Sequence, residues 1–270
     1  MSRAPGPSRR FERFDFRKDG DRISREHPEI PETDPASATA AEPEGTLYLV
    51  STPIGNLEDI TARAIRVLKQ SDLIAAEDTR RTGMLLKHYG IENRLESYHD
   101  FNKEKKTPLL LRKLREGRSI ALVSDAGTPG ISDPAFYLVR AASLEGIRIS
   151  PVPGPTAAVA ALVSSGLATD RFAFEGFLPH KKGRKTRLEW LKSETRTIVL
   201  YESPHRVLRT LREMREILGD RKAAAVRELT KIHEEIVRGS LSEIEEAFSK
   251  RPVKGEFVLI VEGSGKRTHG

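Results

Sequence analysis

The stretch that decides the fold is "LVSDAGTPGISDP", Leu122 to Pro134. The apolar run Ile120-Ala121-Leu122-Val123 stops at Ser124-Asp125 and gives way to a loop holding Gly127, Pro129 and Gly130. Ser132-Asp133-Pro134 follows, an N-cap and a proline where a helix can begin. Buried strand, glycine-bearing loop and helix form the repeating unit of a parallel α/β sheet. The loop lacks G-x-G-x-x-G, and the chain has no G-x-x-x-x-G-K-[ST], so the usual cradles for a pyrophosphate or a nucleoside triphosphate are missing.

The same alternation extends outward from this loop. Short apolar runs predict strands at Leu47–Val50, Leu73–Ala76, Ile120–Val123 and Ile147–Val152. Amphipathic periodicity predicts helices at Ile60–Gln70, Arg81–His88, Lys105–Arg115, Pro134–Leu144 and Thr156–Val163. The βα order implies a mainly parallel sheet covered on both faces. Gly166 to Asp170 interrupts the pattern. Beyond it, strands are expected at Phe172–Gly176, Ile198–Tyr201, Ala223–Val226 and Phe257–Val261, with helices near Gly183–Lys192, Pro204–Leu218 and Leu241–Lys250. The expected architecture is two α/β lobes, residues 45–167 and 168–270. Residues 1–44 are rich in Pro, Arg and acidic side chains, lack periodicity and read as a disordered tail.

Composition bounds the function. Of 270 residues, 31% are charged and 37% hydrophobic, enough for a core under a soluble surface. No apolar run is long enough to cross a bilayer, and the basic N-terminus lacks the apolar stretch of a signal peptide, so a cytoplasmic location is expected. Cysteine is absent, which excludes disulfides, thiolate metal sites and cysteine nucleophiles. The net charge is +7, and the first 44 residues hold 8 basic and 10 acidic side chains, which leaves the body at +9. A basic body suits a polyanionic partner such as nucleic acid, and equally suits plain solubility.

The unusual residues cluster after the strands, where parallel sheets bind ligands. "STPIGNLEDIT" follows the first strand, "SDAGTPGISDP" the third and "PVPGPTAAVAALVSSG" ends the fourth; "YESPHR" and "RELTKIHEE" follow strands in the second lobe. Each has a purely structural reading. Pro53 and Gly55 can shape a turn, Asp59 or Thr61 can cap a helix, and Ser203-Pro204 can open one. Ala157, Ala158, Ala160 and Ala161 can let a helix pack closely on the sheet or on a second subunit. Three such loops at one edge favour a ligand cleft. Without a phosphate cradle, that cleft suits a neutral or zwitterionic nucleoside, with Asp125 as an acceptor. The sequence offers no H-x-x-x-H pair, and "HEE" at His233–Glu235 is a weak metal signal, so no metal is expected. No G-x-S-x-G elbow exists for a serine nucleophile.

Seven motifs in order, "STPIGNLEDIT", "AAEDTRRTGMLL", "SDAGTPGISDP", "VPGPTAAVAALVSSGL", "FEGFLP", "YESPHR" and "KGEFVLIVEG", resemble the ribose 2′-O-methyltransferase branch of the tetrapyrrole methylase superfamily. The resemblance spans Gly45 to Gly263. It departs at Ala135, where that branch commonly has glycine, and in the long N-terminal tail. It implies two α/β domains with S-adenosylmethionine (SAM) in the cleft between them, a homodimer, and methylation of a decoding-centre cytidine in 16S rRNA of the small ribosomal subunit. By motif position it implies a cofactor pocket of Pro53, Ile54, Asp125, Gly127, Thr128, Pro129, Thr156 and Ala157, closed by Tyr201 and Leu229.

Methyl transfer to a ribose hydroxyl needs alignment and help in removing a proton. The candidates at the cleft edge are Glu77, Asp78, Glu202, Glu228 and Lys231. Two adjacent acids exceed what a helix cap needs, although Arg80 or Arg81 can pair with them. Arg80, Arg81, Lys181, Lys182, Arg184, Lys185, His205 and Arg206 are the candidates for RNA phosphates. Tyr98, Phe101 and Phe177 are the aromatic candidates for stacking an extruded base. Competing readings are a methylase of a tetrapyrrole or a protein side chain, and a non-catalytic RNA-binding ribosome-assembly factor. The "HKKGRK" loop and "YESPHR" favour RNA, and the retained cofactor loops favour an enzyme.

Overall fold

The computed structural model describes residues 45–265; the expected disordered tail lies outside them. The first sheet contains β1 (Thr46–Val50), β2 (Leu73–Ala76), β3 (Leu95–Ser97), β4 (Ile120–Val123) and β5 (Arg148–Val152). Its order is β3-β2-β4-β1-β5, and every pairing is parallel. All the following loops therefore leave from one edge. The helices are α1 (Ala62–Gln70), α2 (Thr79–His88), α3 (Lys103–Arg115) and α4 (Ala135–Leu144).

The run at β4 is continuously apolar because both of its faces are covered. Ile120 and Leu122 join a core with Leu110, Leu114 and Leu138 from α3 and α4. Ala121 and Val123, on the opposite pleat, join Ala64, Leu68 and Leu86 from α1 and α2. Thr61 caps α1 by accepting from Ala64 N at 3.1 Å, the role its position predicts. Asp78 caps α2, accepting from the backbone N–H of Arg80 and Arg81.

The second sheet runs β6 (Phe172–Phe177), β7 (Thr197–Glu202), β10 (Phe257–Val261), β8 (Lys222–Arg227) and β9 (Glu235–Ser240). Only β6 and β7 pair in parallel; the other neighbours are antiparallel. Its helices α6 (Arg184–Leu191), α7 (Val207–Leu218) and α8 (Leu241–Ser249) cover one face. The other face is covered by α5 (Ala157–Ser164), whose Ala158, Ala161 and Leu162 pack on Val199, Ala224, Val226, Val258 and Ile260. The first sheet ends with β5 at Val152 and the second begins with β6 at Phe172, and α5, expected with the first lobe, packs on the second sheet. Its small residues serve this close packing.

Several local expectations are corrected. β3 and β9 are edge strands with few fully buried side chains, so neither leaves a clear hydrophobic pattern. The helix expected from Pro204 starts at Val207, because Ser203 O accepts from both Arg206 N (3.1 Å) and Val207 N (3.0 Å) and winds a turn first. Helix α4 starts at Ala135, one residue beyond the expected proline. Asp133 acts as a clasp, accepting from Gly130 N at 2.8 Å and from Ala135 N at 2.8 Å. Ala135 is buried against the first core. Tyr98 is also core, 1% exposed and bonded to Thr107 Oγ1, which removes it as a base-stacking side chain.

The α5 contact closes a core between this helix and the second sheet. Ala161 is 0% exposed there, so Ala161→Leu forces three further heavy atoms into a closed interface. The expected cost is about 1–3 kcal/mol, read as a lower melting temperature in circular dichroism.

Candidate active site

Three loops after β1, β4 and β5 are tied directly to one another. Thr52 and Gly127 exchange backbone hydrogen bonds, 3.0 Å each way, in an isolated antiparallel bridge. Gly127 adopts φ +81°, and a Cβ there would press on Ile54 Cγ2 at 3.3 Å. The Thr128 hydroxyl meets Ser51 Oγ at 2.9 Å and Thr156 Oγ1 at 2.7 Å, and it donates to Pro155 O at 3.1 Å as one of its arrangements. One small hydroxyl thus joins all three strand ends.

These loops form one wall of a cavity of about 460 Å³; β7, β8, β10 and the loop after β8 form the other. Ile54, Asp125, Gly127, Thr128, Thr156 and Ala157 line it from the first wall, and Tyr201 and Leu229 from the second. Pro53 borders a contiguous hollow that shares Ile54, Arg81 and Asp125 with it. Pro129 lines neither. Tyr201 accepts from Ala158 N at 3.3 Å, and burial raises its pKa. Phe174 and Phe177 hold its ring at centroid distances of 5.0 and 5.6 Å. The sequence reading did not include Ser132, Val226 or Val258, which also line the cavity. The two valines belong to ordinary apolar strand runs, and only the packing shows which face each takes.

The loop after β8 crosses to the first wall. Thr230 Oγ1 accepts from Asn56 N at 3.1 Å, and a Cβ on Gly55 would lie 2.5 Å from Lys231 Cγ. Glu228 and Thr230 hold positive φ angles, 50° and 65°, to bring the chain there. Lys231 bonds Glu228 and Glu256, both at 2.9 Å. Burial works to lower its pKa, but these hydrogen bonds and charges outweigh it, so the net shift is upward.

The candidate acids separate sharply. Asp78 is held down to about 2 by hydrogen bonds from the Arg80 side chain and backbone, and it borders a different hollow. Glu202 lines the cavity but is 2% exposed, with Oε2 accepting from Thr210 at 2.6 Å and Oε1 from Ser203 N at 2.8 Å and paired with Arg206. Glu228 accepts from Lys231 and from Glu256 N. Glu77 is different. Its pKa is raised, chiefly by burial and further by Asp125, Asp133 and Asp100, against a hydrogen bond from Asp125 N at 3.3 Å. Asp125 pairs through Oδ2 with Arg81 at 3.4 Å, while its buried Oδ1 has no partner among the described residues.

The basic candidates also divide. Lys181, Lys182, Lys185 and His205 are exposed, and the Arg80 side chain is 89% exposed although paired with Asp78. Arg81 reaches the cavity. Arg184 is corrected: it is 3% exposed and bonds Glu213 Oε2, Thr210 Oγ1 and Pro179 O. Arg206 is corrected too, because its guanidinium is held by Glu202, Leu178 O and His180. The first reads as a surface cation in a Lys/Arg run because sequence does not reveal its helix face. Among the described residues, no group of three or more His, Cys, Asp or Glu side chains is arranged to hold a metal, and no helix is long and apolar enough to cross a membrane.

Two α/β sheets with strand-end loops around one cavity make a small-molecule site. Residues 46–245 match the tetrapyrrole (corrin/porphyrin) methylases, and the chain belongs to that family. A solved relative in fold is uroporphyrin-III C-methyltransferase from Thermus thermophilus complexed with S-adenosylhomocysteine, at TM-score 0.59 and 23% identity, covering 81% of this chain and 97% of that one. Within the family, the similarity is much higher to proteins named ribosomal RNA small subunit methyltransferase I. The one from Halalkalibacterium halodurans is 55% identical over 83% of this chain and 78% of its own length. That from Haemophilus influenzae is 52% identical over 82% and 80%. The resemblance carried by the ordered motifs is thus matched by the chain's relatives.

The buried and exposed members of the "HKKGRK" run should behave differently. Arg184→Gln leaves Thr210 and Glu213 short of donors and should cost about 1–3 kcal/mol in denaturant unfolding. Changing Lys181, Lys182 and Lys185 together to Gln should alter stability by only about 0.5 kcal/mol per site at most.

Proposed function

We propose that this protein transfers a methyl group from SAM to the ribose 2′-hydroxyl of a decoding-centre cytidine in 16S rRNA, acting on the small ribosomal subunit in the cytoplasm as a homodimer. The observation that carries the cofactor reading is the unpartnered Asp125 Oδ1 on a cavity without a phosphate cradle. The cavity volume, about 460 Å³, lies within the range of small-molecule sites. Asp125 offers an acceptor to hydroxyl or amino groups of a nucleoside, while Ile54, Leu229 and Val226 offer it apolar surface. Relatives above 50% identity named as rRNA methyltransferases support the substrate class. Exposed apolar side chains at Phe136 (64%), Leu144 (79%) and Val163 (66%) support a subunit contact.

Bound SAM supplies an electrophilic methyl on a sulfonium. This chain's residues hold the cofactor, exclude water and take up the hydroxyl proton. Glu77 is the base: it lines the cavity, and its carboxylate is not bound by a lysine or arginine. Its raised pKa brings its basicity closer to working pH than an exposed glutamate. Glu202, locked by Thr210, Ser203 N and Arg206, shapes the wall. The exposed lysines of the "HKKGRK" loop contact phosphates and make binding salt-dependent.

The function is tested by incubating small subunits with tritiated SAM and mapping the labelled nucleotide. Label in a 16S cytidine ribose supports it; label in protein or tetrapyrrole only, or none, overturns it. Asp125→Ala should weaken SAM binding by about 1–3 kcal/mol in calorimetry.

Glu77→Gln should abolish most transfer while raising stability at neutral pH. A carboxyl whose folded pKa is raised favours its protonated form in the native state. Its contribution therefore falls as pH rises from the unfolded value through the folded one, and above that window it opposes folding. The paired measurement is the melting temperature of both forms at acid and neutral pH; the gain should vanish in acid. Activity of the wild type should correspondingly fall on the acid side, at a pH above the ordinary glutamate value.

A further inference from the structure

A second hollow, about 420 Å³, opens where β2 and β3 end. Glu77 is the residue it shares with the cofactor cavity. Phe101, in the loop between β3 and α3, lies on this hollow with its side chain fully exposed, 100%. The loop that presents it is well tied. Asn102 Oδ1 accepts from His99 N at 2.9 Å, and its amide nitrogen reaches Ser97 O, Ser97 Oγ and His99 Nε2, each at 3.2 Å. Lys103 Nζ holds Asp100 at 2.7 Å. An apolar ring in open water on a braced loop has no folding role in this chain.

The chemistry of the hollow is directional. Because Asn102 Oδ1 faces a backbone N–H, its Nδ2 must be the donor, so His99 Nε2 accepts and the ring proton sits on Nδ1. That Nδ1 is buried and has no partner among the described residues. Glu77, Asp78 and Asp100 make the lining acidic, with Arg80 at its border. Asp78 is taken up by Arg80 and one Asp100 oxygen by Lys103, which leaves Glu77 and the other Asp100 oxygen as acceptors without a cation. Such acceptors suit the exocyclic amine of a base, as acidic side chains do cytosine N4. An exposed aromatic face beside them is the stacking platform that single-stranded recognition uses.

We infer that this hollow is a nucleobase subsite: it holds the amine-bearing base of the nucleotide whose ribose is methylated, stacked on Phe101 and hydrogen-bonded through the acidic lining. Glu77, common to both hollows, then stands between base and methyl donor, where the ribose hydroxyl must lie. The inference rests on the rRNA methyltransferase reading and adds how the acceptor nucleotide is selected.

The test uses the full-length protein, unmethylated small subunits and tritiated SAM, with Phe101→Ala and Phe101→Trp beside the wild type. Loss of one stacked base should raise the KM for subunits about tenfold or more. SAM affinity by calorimetry should be unchanged, and Phe101→Trp should restore most of the KM. Because Phe101 is fully exposed, with only an edge contact to the His99 ring at 6.1 Å, neither variant should lose more than about 0.5 kcal/mol of stability. A wild type that methylates subunits, with Phe101→Ala within about twofold of it or Phe101→Trp as poor as Phe101→Ala, overturns the subsite alone. A wild type that transfers no label to subunits overturns the rRNA reading and the subsite together.

Discussion

The bridge between Thr52 and Gly127, continued by the Thr128 hydroxyl, is the constraint on which the site depends. Parallel strands deliver their loops to one edge but leave each loop's path undetermined. Two backbone hydrogen bonds fix the loop after β1 to the loop after β4, and Thr128 adds the end of β5 through Pro155 and Thr156. Asp125 sits two residues before Gly127, so its carboxylate and its N–H to Glu77 are placed by the same clasp. Gly127 and Gly154 are both needed for the closeness, since a Cβ on Gly154 would fall 2.7 Å from Ser51 Cβ.

The site's electrostatics follow from which charges the fold has already paired. Asp78 caps a helix and binds Arg80, Asp133 clasps its own loop, Glu202 is locked under Arg206, and Glu228 holds Lys231. Donors face all four, and those facing Asp78 and Glu228 hold their carboxyls below the ordinary range. Glu77 faces one backbone N–H, partial burial and several acids, so its carboxylate is the one whose proton affinity rises. Neighbouring residues in sequence, Glu77 and Asp78, thus take opposite characters because alternate side chains at a strand end face different surroundings.

The two lobes are joined by packing as well as by chain. Helix α5 belongs in sequence to the first half and in packing to the second sheet, and its first residues, following Thr156, border the cavity. The Gly55–Lys231 approach closes the opposite side. A ligand in the cleft touches both walls, so binding couples to the relative placement of the sheets.

By itself, the sequence determined the strand cores, the parallel first sheet, the helix cap at Thr61, and the set of loops that carry the site. Continuous apolar runs, 3.6-residue periodicity and capping residues are local signals, readable without a partner. The short edge strands β3 and β9 escaped because three to six half-buried residues carry little pattern. Only the tertiary structure decided that α5 covers the second sheet, that Arg184 turns inward while Lys181, Lys182 and Lys185 stay outside, and that Tyr98 is core while Phe101 is bare. It also decided that, of the candidate acids Glu77, Asp78, Glu202 and Glu228, Glu77 is the one without a cation partner. Burial, pairing and proton affinity are set by what lies across space from a side chain, and those neighbours come from segments up to 174 residues apart, as with Asn56 and Thr230.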